Sequence, residues 1–286
     1  MESFEDRLRE RISEQERKTI RRKRFQVRLL ENWWLIAVGI LAIYVGLPIA
    51  APVMMKVGAT GPASAIYSTY SFMCHQFSFR SIFLFGEQPV YPREMAGTNY
   101  TSFEQYAAQS DEFIGLYLAR RESEDRFAGE AFTPDELNTW SQPLQLAARD
   151  FKGDEQMGYK VALCQRDIAI YVAMVIGGLA YGPVRRRLRA APLWLYVLLG
   201  LGPIGLDGFS QLLSYPPFEF WDPRETTPAF RVVTGALFGF MNVWLAFPYI
   251  NESMQDSADQ ARRSIRQMKR QMQEALRRAR FAESAD

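Results

Sequence analysis

The chain has 286 residues, of which 48% are hydrophobic and 23% are charged, and its formal net charge is +2. A chain this polar cannot lie entirely within a membrane, and its charges are concentrated in separate soluble segments. Because basic and acidic segments nearly balance each other, the overall charge does not support a nucleic-acid partner.

The first predicted element is a basic arm over residues 1–32. Between Arg17 and Arg28 it has seven basic residues and no acidic one. Three apolar residues at four-residue spacing would lie on one stripe of a helix, namely Phe4, Leu8 and Ile12. The arm either lies on the membrane surface, attracted by anionic lipids, or forms a short coiled coil with the C-terminal tail or another protomer.

Four long apolar runs are predicted to cross the membrane as helices. They are Trp33–Met55, Ile168–Gly182, Pro192–Leu213 and Phe230–Ile250. A helix of about 20 apolar residues, rising about 1.5 Å per residue, spans the hydrocarbon core of a bilayer. Asp207 and Arg231 are the only charged residues within these runs. The fold class expected is therefore all-α, a polytopic helical membrane protein.

A fifth apolar stretch, Ile66–Phe85, completes the predicted segment 33–85. Its centre is polar and contains Cys74, His75, Gln76 and Arg80. If this stretch crossed the membrane, the basic loop Arg185–Arg189 would move to the outer side, against the usual distribution of Lys and Arg. We therefore expect a half-buried or re-entrant helix at the outer face, packed against protein rather than lipid.

Residues 86–160 form an acidic insert that we expect to be helical. Ser102-Phe103-Glu104-Gln105 and Thr133-Pro134-Asp135-Glu136 both have the pattern of a helix start, with a hydroxyl N-cap and Gln or Glu three residues later. A segment of this size with modest hydrophobicity is marginal alone. We expect it to pack on the membrane core as a lid or docking surface.

The rest of the chain divides into a three-span core, 161–250, and a helical tail, 251–286. Apolar residues recur in the tail at three- and four-residue steps, namely Ile265, Met268, Met272, Ala275 and Ala279. The tail has the same two interpretations as the N-terminal arm.

The distribution of Lys and Arg predicts the orientation. The insert has fourteen acidic residues against seven basic ones, whereas the arm, the Arg185–Arg189 loop and the tail carry basic clusters. We expect a multi-pass protein of the cell membrane with both termini in the cytoplasm and residues 86–160 extracytoplasmic.

The chain has two cysteines and one histidine, and all three are predicted near the outer face. One interpretation is a disulfide between Cys74 and Cys164, since that side is oxidising. A second is a zinc or copper site of Cys74, His75 and Cys164, with Asp167 nearby. A third is a pair of free thiols packed in the core.

Polar residues are expected to converge at the same depth. Asp207 and Gln211 share a helix face, and a charged residue at this depth requires a partner. We predict that Asp207 pairs with Arg231, with hydrogen bonds from Gln211 and Thr234, either as a structural ion pair or as part of a site. The candidate cluster comprises His75, Gln76, Arg80, Arg166, Asp167, Asp207, Gln211, Arg231 and Thr234.

Four motifs carry a resemblance to a known family. They are Cys74-His75-Gln76, Cys164-x-Arg166-Asp167, Leu206-Asp207-Gly208-x-x-Gln211 and Arg231-x-x-Thr234-Gly235-x-Leu237-Phe238-Gly239. Over Phe72–Phe85 and Tyr159–Phe240 the chain resembles the uncharacterised prokaryotic membrane family called domain of unknown function twenty eighty-five. The resemblance implies that Glu87–Gly158 is an insertion. That family often has Cys where this chain has Asp167, which weakens the metal interpretation.

The resemblance brings no known activity, and two classes of function remain. We favour an accessory or assembly subunit whose outer polar cluster binds an ion, a lipid head group or a protein partner. Its partners would be membrane lipids, and the terminal helices and insert would contact another copy or a membrane complex. The alternative is a membrane enzyme for a lipid or phosphorylated substrate. In that enzyme, arginines would hold phosphate and an acid or base would act on it. The residues for these two roles would be Arg80, Arg166 and Arg231 for the phosphate, and His75, Asp167 or Asp207 for the proton transfer.

Overall fold

In a computed structural model, the chain is described over residues 4–122 and 131–283. The helices are α1 Phe4–Glu31, α2 Trp33–Lys56, α3 Thr60–Tyr70, α4 Phe103–Ala107, α5 Asp111–Arg121, α6 Gln142–Asp150, α7 Gln165–Val184, α8 Leu193–Leu212 and α9 Pro228–Glu283. The strands are β1 Ser81–Leu84, β2 Gly153–Asp154 and β3 Gly158–Cys164.

Four helices are long and apolar enough to cross a membrane: α2, α7, α8 and the first part of α9. Their outward faces are apolar, as shown by Ile40, Ile43 and Leu206, which are 63%, 66% and 75% exposed. Lipid contact explains such exposure, because water would disfavour it. The expected class, an all-α polytopic membrane protein, is confirmed.

Small residues allow α7 and α9 to approach closely. A Cβ atom added at Gly235 would meet the backbone carbonyl of Arg166, and one at Gly239 would meet that of Ile170. Helices in membranes associate through such close backbone contacts, since lipid and apolar side chains are equally hydrophobic. This contact fixes the first turn of α7 against the first turns of α9.

Helix α1 and the end of α9 pack against each other in antiparallel directions on the side of the bundle opposite the insert. Arg262 pairs with Glu31, and farther from the bundle Arg17 and Ile20 lie beside Lys269 and Met272. Their shared core consists of Ile20, Val27, Ala258, Ala261 and Ile265. The side chains of Phe4, Leu8, Ile12 and Ala279 lie outside those that the structure describes, and a supercoiled arrangement stays a prediction.

The expectation of a helix over Ile66–Phe85 is wrong beyond Tyr70. Helix α3 ends there, the segment with Cys74 and His75 is a loop, and the chain continues into strand β1. Strand β1 pairs antiparallel with β3, which pairs with β2 on its other side. Three apolar residues of this segment do not face lipid, because Phe77, Phe79 and Phe83 enter the core of the insert.

The insert has its own core, built mainly from aromatic side chains. Ser102, Ser110 and Ser141 accept hydrogen bonds from the first turns of α4, α5 and α6, so the predicted helix start at Ser102 is confirmed. Thr133 and Glu136 form the expected capping box, although the turn that follows is a short 3-10 helix. The fully buried residues of this core include Phe103, Phe113, Tyr117, Leu137, Leu144 and Phe151.

A buried lysine joins the insert to the loop after α3. The Lys160 ammonium donates to the carbonyl oxygens of Gln76, Ala148 and Arg149 at 2.6, 3.0 and 2.7 Å. Burial lowers the pKa of Lys160 to about 7, although Asp150 and Cys74 act in the opposite direction. Its hydrogen bonds satisfy all three ammonium protons without a carboxylate.

Candidate functional site

Asp207 lies on α8 at the end of the bundle that faces the insert, and its side chain is fully buried. One carboxylate oxygen pairs with Arg166, in the first turn of α7. The other accepts hydrogen bonds from the Thr226 hydroxyl at 2.7 Å and from Arg224 at 3.3 Å. Asp207 thus joins α7, α8 and the loop between α8 and α9.

A second buried carboxylate, Glu225, lies in that loop. Arg80 donates two parallel hydrogen bonds to it, at 2.8 and 2.9 Å, and Arg231 pairs with the same carboxylate. The Tyr215 hydroxyl donates at 2.9 Å. Burial alone would raise the pKa of Glu225, but Arg80 and Arg231 outweigh it and lower this pKa to about 2. Glu225 is therefore ionised at neutral pH.

The predicted pairing of Asp207 with Arg231 is wrong. Arg231 forms an ion pair with Glu225, and Asp207 forms ion pairs with Arg166 and Arg224. Thr234 donates to the carbonyl oxygen of Phe230, as hydroxyls in helices often do, and so does not support an ion pair.

Gln211 keeps the expected place beside Arg231, whose guanidinium donates to its side-chain oxygen at 3.4 Å. Arg224, Glu225, Thr226 and Tyr215 were not predicted, because they lie outside the apolar runs. The available signal was the position of Glu225 six residues before a membrane arginine, within reach of the same helix end.

Four arginines surround the two carboxylates, and we call Arg80, Arg166, Arg224 and Arg231 the arginine cluster. Asp167 follows Arg166 in the chain, but it faces Cys164. The Nε atom of Arg166 is buried and has no hydrogen-bond partner among the described residues. The side chains of Arg80 and Arg166 are 20% and 19% exposed, and that of Arg224 is 42% exposed, so the cluster is accessible from outside the bundle.

Aromatic residues frame the arginine cluster on two sides. Trp140 of the insert stacks on Tyr215 with ring centroids 4.1 Å apart, and Arg80 lies 5.7 Å from the centroid of Trp140. The insert therefore packs on the membrane core at this point. On the other side, several apolar residues of the two neighbouring loops are exposed, namely Phe72, Met73, Phe218, Phe220 and Trp221.

The two cysteines lie next to the arginine cluster. Both thiols are free, and the sulfur atoms of Cys74 and Cys164 and a carboxylate oxygen of Asp167 lie within 4.8 Å of one another. The Cys164 thiol donates to Asp167 at 3.1 Å. The hydrogen bond with Cys74 and burial raise the pKa of Cys164 well above its ordinary value.

His75 does not join this group, so the predicted ligand set of Cys74, His75 and Cys164 is wrong in one member. His75 is exposed, and its ring centroid lies 5.3 Å from that of Phe77. Adjacent residues project in different directions, so Cys74 points inward while His75 points outward. Gln76 is also separate from the ion pairs, since its side chain donates to the Tyr67 carbonyl.

Comparisons with known proteins confirm the family resemblance. Residues 155–245 match the family described as "Predicted membrane protein (DUF2085)". "Uncharacterized protein MJ1492" of Methanocaldococcus jannaschii is 28% identical over 97 residues, which are 33% of this chain and 56% of that protein. The chain thus spans just over half the length of this relative. No solved structure matches the chain.

Proposed function

We propose that this membrane protein is a non-enzymatic binding subunit whose arginine cluster holds a phosphate-bearing anion, the group that lipid head groups carry. The observation that supports this most directly is the imbalance of charge in a largely buried site. Four guanidinium groups face two carboxylates, and buried charges are normally paired. A bound anion would supply the missing negative charge.

Arg166 offers the most unused hydrogen-bonding capacity. One of its terminal nitrogens is engaged by Asp207, whereas its buried Nε has no partner among the described residues. Guanidinium groups bind phosphate through two parallel hydrogen bonds, a geometry that Lys cannot reproduce. Arg166 and Arg231 lie in the first turns of α7 and α9, and helix N-termini favour negative charge.

The surroundings of the cluster favour a lipid as the source of the phosphate. Phe218, Phe220 and Trp221 are 46%, 67% and 44% exposed in the loop that also carries Arg224. Aromatic residues concentrate at the level of the lipid head groups. A phosphate at that depth is within reach of arginines that open onto the same surface.

The contacts of the acidic groups favour binding over catalysis. Asp207 and Glu225 are both engaged by two arginines, and Glu225 is held ionised. An acid or base catalyst needs a proton that it can exchange near working pH. Of the other two predicted acids or bases, His75 is outside the cluster and Asp167 faces Cys164. On these grounds the predicted alternative of a lipid-processing enzyme is the weaker one.

The test is calorimetric titration of the detergent-purified protein with short-chain phosphatidic acid, inorganic phosphate and short-chain phosphatidylcholine. We expect phosphatidic acid to bind, and Arg166→Gln to weaken its binding by about tenfold or more, by the strength of a charge-assisted hydrogen bond. Arg120→Gln is the matched control, since Arg120 lies on the insert surface. Equal affinity of the wild type, Arg166→Gln and Arg120→Gln for phosphatidic acid would overturn the proposal. Binding of inorganic phosphate as tight as that of the lipid would identify a free anion as the ligand.

A further inference from the structure

Three potential metal ligands converge from separate parts of the fold. Cys74 lies in the loop after α3, Cys164 ends strand β3, and Asp167 is in the first turn of α7. The pairing of Ser81 with Cys164 brings the two cysteine segments together across about eighty residues of chain. Their ligand atoms lie within 4.8 Å of one another.

This spacing fits a tetrahedral zinc site after small side-chain movements. With Zn–S bonds of about 2.3 Å and Zn–O bonds of about 2.1 Å, tetrahedral ligand atoms lie roughly 3.5–4 Å apart. Thiolates and a carboxylate are ligand types that zinc accepts, and the thiolates select against magnesium and calcium.

The loop that presents Cys74 is held by a second set of contacts. The backbone N–H of Gln76 donates to the Cys74 sulfur at 3.5 Å. Gln76 has a positive φ of 54°, and its carbonyl accepts from the buried Lys160 ammonium at 2.6 Å. Such outer contacts orient the ligands of metal sites.

Two simpler arrangements compete with a metal site. Cys164 precedes α7 and its thiol contacts Asp167 three residues later, which resembles a helix cap. The sulfurs are also close enough to form a disulfide after movement. Neither arrangement uses all three groups, because a cap leaves Cys74 out and a disulfide leaves Asp167 without its thiol partner.

We propose that Cys74, Cys164 and Asp167 bind one zinc ion and leave its fourth position to water or an external ligand. Binding displaces the protons of both thiols to solvent, with no change of oxidation state. The proposal goes beyond the arginine cluster and uses different residues, so either can fail without the other.

The first experiment uses the wild-type protein, purified in detergent under reducing conditions without chelator and titrated with Zn²⁺ and Co²⁺. We expect one zinc per chain by elemental analysis, and a thiolate-to-cobalt charge-transfer band with Co²⁺. Zn²⁺ should also protect both cysteines from maleimide until a chelator is added. A wild-type protein that binds no stoichiometric metal would overturn the proposal, and so would a Cys74–Cys164 disulfide in protein isolated in parallel without reductant.

Variants identify the ligands. Cys74→Ser and Cys164→Ser should lose the charge-transfer band and stoichiometric zinc, and Asp167→Asn should weaken binding. His75→Ala is the matched control, since it removes the adjacent imidazole without touching the three ligands. Retention of zinc by a folded Cys164→Ser protein, or its loss in a folded His75→Ala protein, would contradict the assignment.

Discussion

Asp207 and Glu225 divide the four arginines between them, so each carboxylate is shared by two arginines. Sequence reasoning placed Asp207, Arg166 and Arg231 at one depth because each lies within or just beside the outer end of an apolar run. It paired the wrong two, since the competing Glu225 is outside the apolar runs. Hydropathy gives the depth of a residue in the membrane, but the partner depends on how helices rotate about their axes, which local sequence does not specify.

The corrected pairing predicts which charges are coupled. Arg231→Gln or Glu225→Gln alone should destabilise the protein by about 3–5 kcal/mol, because each leaves a buried charge without its partner. The double variant should lose less than the sum, with a coupling of about 1–3 kcal/mol. The measurement is unfolding in detergent, analysed as a double-mutant cycle.

A second double-mutant cycle is the control for the pairing of Arg231 with Glu225. Arg231→Gln combined with Asp207→Asn should show a smaller coupling, since these residues meet only through Gln211 and Thr226. A coupling between Asp207 and Arg231 larger than that between Glu225 and Arg231 would restore the pairing expected from sequence.

The low pKa of Glu225 predicts a dependence of stability on pH. Its pKa is about 2 in the folded chain against an ordinary value of 4.5. The ionised carboxylate therefore stabilises the fold above pH 4.5, and this contribution is lost as pH falls from about 4.5 towards 2. A difference of this size corresponds to about 3 kcal/mol.

Glu225→Gln should flatten this part of the curve of melting temperature against pH. The control is Glu155→Gln, at an exposed turn of the insert, which should leave the slope unchanged. If Glu225→Gln has the same acid slope as the wild type, the carboxylate does not contribute as proposed.

At the scale of elements, the sequence predicted the helices that are determined by a long local run of apolar residues. The first span was expected over Trp33–Met55 and is Trp33–Lys56, because a long apolar run determines both its identity and its ends. The small sheet was not expected. Strand β1 has only four residues, so neither its length nor the spacing of its apolar residues distinguishes it from the apolar stretch before it. Its partner β3 lies about eighty residues later in the chain.

The sheet requires glycine at position 158, both for its backbone conformation and for the close approach of the chain. Its φ is +73°, and an added Cβ would meet the carbonyl oxygen of Leu84 and the backbone nitrogen of Gly86. We expect Gly158→Ala to destabilise the insert by more than about 2 kcal/mol, from steric overlap in addition to the left-handed conformation. Thermal unfolding in detergent is the measurement.

A substitution at Gly97 separates the cost of the steric overlap from the cost of the left-handed conformation. It also has a positive φ, of +62°, but nothing within 4 Å of an added Cβ. Gly97→Ala should therefore cost only about 1 kcal/mol. Equal losses at both glycines would indicate that the backbone conformation, and not the contact between β1 and β3, explains the effect.

For the whole molecule, the arginine cluster and the paired helices α1 and α9 lie at opposite ends of the membrane bundle. The paired helices carry the basic groups of both termini, with Arg21, Arg24 and Arg28 lining one groove. The insert is acidic and covers the other end. Because basic segments are usually retained in the cytoplasm, we expect the insert and the arginine cluster on the extracytoplasmic side.

Cysteine labelling checks this orientation. In a chain carrying Cys74→Ala and Cys164→Ala, we expect a Glu155→Cys variant to react with an impermeant maleimide in intact cells. An Arg187→Cys variant should react only after lysis. Both positions are exposed, so access across the membrane decides the result.

Labelling of both variants after lysis is the control for folding and expression. The reverse pattern in intact cells would place the insert, the arginine cluster and the two thiols in the cytoplasm. The anion would then come from the inner leaflet or from a soluble phosphate, and the thiols would face a reducing compartment. The geometry of both sites would be unchanged, so orientation alone decides which lipid leaflet the arginine cluster meets.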